Sequence, residues 1–252
     1  MIDIHTHILS GVDDGASIPD ESSQMLDLAA ADGTLAMVAT PHSDLRYRFE
    51  PQRCRDLLEH LRDSSPCGPR LYLGCELHLT RENVASAIGN PSLYALNGCD
   101  CILLELPDRI VPPMVNPAIG TLMQSGLRVI IAHPERNLYI QHQISYAERL
   151  VDMGCYLQLT ARSLTGAFGP DAASAANNIL RRRLAHIIAS DAHGVSVRKP
   201  ILSGAFENVS KTYGEPAARA LFTDNPEAAL SGSALRQMPA APRWRTSMFK
   251  AF

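Results

Sequence analysis

Seven short runs of aliphatic residues recur along the chain, and most of them end in histidine or a carboxylate. They begin with Ile2-Asp3-Ile4 and continue at residues 35–39, 71–73, 102–104, 129–132, 156–159 and 187–189. Runs this short and this continuously apolar read as strands buried on both faces, the pattern of a parallel sheet. Helical spacing fills the intervals. Met25, Leu26, Leu28 and Ala29 follow Pro19, with Gly33 placed to end the helix. Leu57, Leu58 and Leu61 make a second face, and Ala147, Leu150 and Val151 a third, stopped by Gly154. The Ala-rich stretch 171–183 ends in three arginines, which suit a helix C-terminus. Strand alternating with helix means the α/β class, and 252 residues suit one closed or nearly closed barrel. Periodicity alone leaves an open sheet standing.

Composition narrows the function. Hydrophobic residues are 46% and charged residues 19%, enough apolar surface for one core, which excludes wholesale disorder. A net charge of −3 argues against a nucleic-acid partner, whose binding is largely electrostatic. No apolar run approaches the roughly 20 residues of a membrane span, so no transmembrane segment is expected. The opening Met1-Ile2-Asp3-Ile4-His5 is not the apolar core of a signal peptide. Six scattered cysteines in a chain this long read as reduced thiols, and the expected compartment is cytoplasmic. One domain is expected over residues 1–238. The segment 239–252, with Arg243, Trp244, Arg245 and Lys250, reads as a flexible C-terminal extension.

The residue types that bind metals collect where strands end. His5 and His7 close the first run, and His42 follows the second. Glu76 follows the third, Glu105 ends the fourth, His133 the fifth, and Asp191 and His193 the seventh. Asp13 and Asp14 compete for one further role in the first loop, and Asp14 is preferred. Strand C-termini of an α/β barrel open on one face, so the fold itself gathers these groups. Imidazole and carboxylate without thiolate suit Zn, Mn or Fe. Nine candidates suffice for two or three ions that share carboxylates. Four carboxylates against three divalent ions leave the pocket positive, Arg136 adds to it, and a phosphate ester becomes the natural substrate. The expected chemistry is in-line attack on phosphorus by a metal-bound hydroxide, with Arg136 as a bidentate clamp.

Asp3-Ile4-His5-Thr6-His7, Gly11-Val12-Asp13-Asp14-Gly15 and Ala39-Thr40-Pro41-His42 resemble the PHP (polymerase and histidinol phosphatase) superfamily. Leu103-Leu104-Glu105-Leu106-Pro107, Ala132-His133-Pro134-Glu135-Arg136-Asn137 and Ser190-Asp191-Ala192-His193 look like its bacterial protein-tyrosine phosphatase branch of capsule and exopolysaccharide loci. The resemblance runs from residue 1 to about 230, with Asp224-Asn225-Pro226 near its end. It implies a single-domain, distorted seven-stranded (β/α)7 barrel with three divalent ions, usually Mn2+. His5, His7, Glu76 and Asp191 would hold one ion, and Glu76, Glu105 and His133 the second. Asp14, His42 and His193 would hold the third. Arg136 matches the arginine assigned to phosphate binding and catalysis, with Asp191 and His193 expected beside it in catalysis; His78, close to Glu76, and Arg162 are read from their positions as further substrate contacts. The implied substrate is phosphotyrosine on the tail of a bacterial tyrosine kinase. Tyrosine, with a pKa of ~10, leaves without a strong general acid. Arg162 and Gly194 depart from the pattern and are expected near the pocket rim.

Other readings compete. One is a phosphatase of a small ester such as histidinol phosphate, and another is a metal-stabilised scaffold that docks on a kinase tail without turnover. Arg136 could instead pair with Glu135. Cys75 and Arg81 have the spacing of a cysteine phosphatase, but Glu76 between them would repel both thiolate and phosphate. His60 reads as exposed on a helix, and His142 and His186, which lack a partnered motif, read as structural.

Overall fold

The computed structural model describes residues 1–240. The four basic and aromatic residues singled out in the tail lie outside them. Among the described residues the strands are β1 (Ile2–Thr6), β2 (Ala36–Ala39), β3 (His42–Ser43), β4 (Arg70–Leu73) and β5 (Glu76–His78). They continue with β6 (Cys101–Glu105), β7 (Arg128–Ala132), β8 (Tyr156–Thr160) and β9 (Ile187–Ala189). Every pairing is parallel. One sheet runs β1-β2-β4 and the other β3-β5-β6-β7-β8-β9.

The seven apolar runs all became strands, and among the described residues these fall into two parallel sheets whose ladders are not joined into one closed sheet. The second and third runs each continue past a two-residue break into a short further strand. Thr40-Pro41 separates β2 from β3, and Gly74-Cys75 separates β4 from β5. Proline has no N–H to give a ladder. At Gly74 an added Cβ would lie 2.6 Å from Cδ2 of Leu96, so that fully buried leucine is packed hard against the break. At the other seam a single bridge, Thr6 to Ala192, links β1 to the segment after β9.

Alternating strand residues supply two apolar layers. Met37, Ile102, Leu104, Val129, Ile131, Leu157 and Ile188 pack outward with helix residues such as Met25, Leu58 and Ile179. Ile4, Val38, Leu103, Ile130 and Ile187 share an interior cluster with Leu96, Leu230 and Leu235. Both layers are buried. The helices fall where spacing put them, at Pro19–Ala31, Pro51–Ser64, Ser145–Asp152 and Pro170–Arg181. Gly33 and Gly154 take the left-handed backbone that ends the first and third of these (φ 86° and 97°). None of the helices among the described residues is long and apolar enough to cross a membrane.

His186 is structural, as its lack of a motif suggested. It is buried, its Nδ1 accepts the Leu157 N–H at 3.3 Å, and its ring meets that of Tyr156 edge-on. Burial pushes its pKa down to about 4. A pKa lower in the folded than in the unfolded chain stabilises above the unfolded value of about 6.5 and fails as pH falls toward 4. Denaturant unfolding between pH 7 and 4 is therefore expected to lose up to about 3 kcal/mol through this group. His186→Leu should flatten that acid limb, whatever it does to stability at pH 7.

Candidate metal centre

Loops at the C-terminal ends of the strands enclose a cavity of 270 Å³. Asp14, His42, Glu76, His78, Glu105, His133, Arg136, Asp191 and His193 line it, with the buried His5 and His7 in contact below. Eleven of the twelve separate candidates from sequence are thus together; the twelfth, Arg162, is not. It lines a separate depression with Ser196, Val197 and Lys199. Gly194 is also absent from the cavity lining. It is buried, and a Cβ there would come within 2.9 Å of a Glu21 carboxylate oxygen.

Glu76 is the centre of the arrangement. Its Oε2 lies 3.2 Å from Nε2 of His5, 3.2 Å from Nε2 of His7 and 3.1 Å from Nδ1 of His42. None of these approaches has hydrogen-bond geometry, and Oε2 is buried without a hydrogen-bond partner. Its Oε1 receives His133 Nε2 at 2.8 Å. Asp191 Oδ1 is likewise buried and unpartnered, 3.3 Å from His5 and 3.6 Å from both His7 and His193. Asp14 Oδ1 stands 3.4 Å from both His42 and His193. Buried polar atoms normally have partners. Lone pairs converging on one another without a bond are the arrangement a cation would complete.

The imidazoles are held from behind. His5 Nδ1 meets Gln158 Oε1 at 2.9 Å, and His7 Nδ1 meets Asp13 Oδ2 at 2.7 Å. An acceptor at Nδ1 keeps the proton there and turns the Nε2 lone pair toward Glu76 and Asp191, as around bound metals. So Asp13, the competitor of Asp14, supports His7 rather than facing the cavity. It also accepts the backbone N–H groups of Gly15 and His42. His133 and Asp191 both adopt left-handed backbone, with φ of 30° and 53°. Such non-glycine positions cost of order 1–3 kcal/mol and gather at functional sites.

Burial lowers the pKa of His5 and His7, yet carboxylates outweigh it: Glu76 and Asp191 raise His5, and Asp13 and Glu76 hold His7 well above the usual range. Burial raises the carboxyls of Glu76 and Asp191, yet the neighbouring His5 and other cationic groups hold both far below it. The adjacent rings of His193 and His42 do the same for Asp14. Six carboxylates line the cavity against three arginines, because Asp44 and Asp108 join the four expected ones and Arg46 and Arg198 join Arg136. Carboxylates exceed arginines in the lining by three, an imbalance unfavourable to a phosphate ester that only protons on the imidazoles or bound cations would offset. Divalent ions would reverse that sign. Three donor groups could each hold one: His7, Asp14, His42 and His193; His5, His7 and Glu76; and His42, Glu76 and Glu105. These differ from the expected allocation by placing His7 beside Asp14 and His42 beside Glu105.

Arg136 does not pair with Glu135. Its guanidinium donates to Asp191 Oδ2, while Glu135 takes the Thr160 N–H and the Ser163 hydroxyl. Arg198, which sequence reasoning missed, donates to the same Asp191 oxygen. Phe168 lies beneath both, its ring 4.6 Å from Arg136 and 5.8 Å from Arg198. Tyr47 also lines the cavity and was missed; its ring lies within 16° of parallel to that of His42. These side chains sit in loops after strands and carry no periodic signal. Gln158 was legible in principle, as one amide inside an apolar strand. Cys75 is fully buried with its thiol pushed well above the ordinary value by burial, which disposes of a thiolate nucleophile.

The family profile described as capsular polysaccharide synthesis, CpsB/CapC, matches residues 1–231. The tyrosine-protein phosphatase YwqE of Bacillus subtilis is 32% identical over 258 aligned positions, covering 100% of each chain. The tyrosine-protein phosphatase CpsB of Streptococcus pneumoniae is 27% identical, over 90% of this chain and 96% of that one. A solved crystal structure from the pair YwqE and CpsB, described as metal-dependent tyrosine phosphatases, superposes with a TM-score of 0.88 at 32% identity. It covers 96% of this chain and 99% of that one.

Gly15 offers a local test of the support behind His7. A Cβ on Gly15 would fall 2.0 Å from the His7 carbonyl oxygen and 2.4 Å from its Cβ. Gly15→Ala must therefore displace His7 or the loop, at a cost of about 1–3 kcal/mol. Metal titration followed by calorimetry should show weakened binding alongside a lowered melting temperature, whereas Gly120→Ala, with open space at its Cβ, should bind metal as wild type does.

Proposed function

The chain belongs to the CpsB/CapC family of capsular polysaccharide synthesis, and on that premise we propose that it is a metal-dependent protein-tyrosine phosphatase hydrolysing phosphotyrosine. The observation that carries the reading is the buried, unpartnered Glu76 oxygen ringed by three imidazole nitrogens. His5, His7, Asp14, His42, Glu76, Glu105, His133, Asp191 and His193 would hold three divalent ions, with Mn2+ the first candidate and Fe or Zn next. Such ions supply Lewis acidity toward phosphoryl oxygens and toward water. The two sheets are read as arcs of one distorted barrel, supported by the interior cluster that strands of both share.

The chain's own groups divide the remaining work. Asp13 and Gln158 keep the two buried imidazoles in one tautomer. Asp191 holds Arg136 and Arg198 at the cleft wall through one oxygen, and Phe168 stacks beneath them. A guanidinium has five N–H donors, so both arginines retain donors for phosphoryl oxygens as charge develops there. Tyr47 offers an aromatic wall to the phenyl ring of the substrate. The physiological substrate is read as a bacterial tyrosine kinase of polysaccharide synthesis, met in the cytoplasm.

Phosphate release should be measured with Mn2+ supplied, on a phosphotyrosine peptide, a phosphoserine peptide and histidinol phosphate. Preferential turnover of the phosphotyrosine peptide is expected; preference for histidinol phosphate would overturn the reading in favour of a small-ester phosphatase. A chelator should abolish the rate and Mn2+ restore it, while thiol alkylation leaves it in place. The chelated protein should also melt at a lower temperature, since its clustered carboxylates lose their counter-charge. Arg136→Ala should lower kcat by about 10²–10³, the usual loss of one donor to a developing oxyanion, with metal content retained. Unchanged turnover would remove Arg136 from its role.

A further inference from the structure

The loop that follows β9 serves two cavities. Arg198 lines the metal cleft, while Ser196, Val197 and Lys199 line a second depression of 330 Å³. The short helix Ala161–Thr165 gives this depression another wall through Ala161, Arg162 and Thr165. A few residues further on, Phe168 sits beneath the cleft's two arginines. Both walls of the depression are thus continuous with walls of the cleft.

The two cavities differ in charge. The cleft lining mixes six carboxylates with three arginines, whereas among the described residues the depression is lined by Arg162 and Lys199 as its charged groups and by no carboxylate. Val197 is 71% exposed, and Ile201 and Ala205 complete an apolar lining. The helix Ser203–Tyr213 begins nearby, but Asp32 already accepts the N–H groups of Leu202 and Ser203. The attraction for an anion therefore comes from the two cationic side chains and not from the helix end. An apolar lining with a cationic edge fits a side chain that carries a carboxylate on methylene groups.

We infer that this depression is a second recognition site, which takes a glutamate or aspartate side chain flanking the phosphotyrosine of the protein substrate. The inference rests on the phosphotyrosine reading of the cleft. It assigns Arg162 to substrate recognition beside the reaction instead of within it. Once the phosphoryl group occupies the cleft, a neighbouring acidic residue finds Arg162 and Lys199 here without a carboxylate to oppose them, so the pair of cavities sets the direction in which the peptide leaves the site.

The test uses the full chain with Mn2+ and three phosphotyrosine peptides, flanked on both sides by glutamate, by glutamine or by lysine. Each kcat/KM is referred to that of a small aryl phosphate, too short to span both cavities. Wild type should prefer the glutamate peptide to the glutamine peptide about five-fold, the scale of two partly exposed ion pairs, and 0.5 M salt should erase most of it. The Arg162→Ala, Lys199→Ala double variant should lose the preference, and Arg162→Lys should keep most of it. No preference in wild type, or one that survives the double variant, would overturn the inference. Absence of turnover on every peptide and on the aryl phosphate would instead reject the phosphatase reading itself, and the second site with it.

Discussion

Everything at the strand ends answers to the electrostatic need of one buried carboxylate. Glu76 sits in contact with four imidazoles and makes a hydrogen bond to only one of them. An ionised carboxylate away from water must be paired or coordinated. Glu76 and Asp191 are held low and His5, His7 and His42 are held high, while burial and the nearby His7 hold His193 down. Such a cluster draws positive charge, as protons when nothing else is bound and as cations when they are offered. Metal binding there would release protons from those imidazoles that are doubly protonated, since a ring must have one nitrogen free of its proton to serve as a donor.

The fold concentrates that demand by geometry. Parallel strands end at one level, so residues far apart in sequence meet without long side chains. Glu76 and His133 are 57 positions apart and 2.8 Å apart in space. The broken strands matter here. By ending β2 and β4 early, the chain starts β3 at His42 and β5 at Glu76, and these two residues pair directly in register. Pro41 and the tight packing of Gly74 on Leu96 are the sequence causes of that geometry. The left-handed turns at His133 and Asp191 are the backbone cost of aiming those side chains where the strands stop.

Arg136 and Arg198 show how a single group can couple metal binding to substrate binding. Asp191 gives one oxygen to both guanidiniums and leaves the other facing His5, His7 and His193. A change on the metal side of that carboxylate is therefore felt by the two cations on the substrate side. Phe168 limits where those cations can go.

The apolar runs and the histidines and acids behind them were enough to predict an α/β chain and to gather all nine proposed ligands, because burial and strand ends are local properties of sequence. Tertiary structure decided three other things. It split the sheet in two, since whether a proline or a glycine merely bends a ladder or ends it depends on what packs against it. It sent Arg162 to a neighbouring depression and brought Arg198, Tyr47 and Phe168 to the cleft, because loop residues have no period from which a direction can be read. It also chose Asp14 over Asp13 to face the cavity: adjacent side chains of one type differ only in what the fold places beside them.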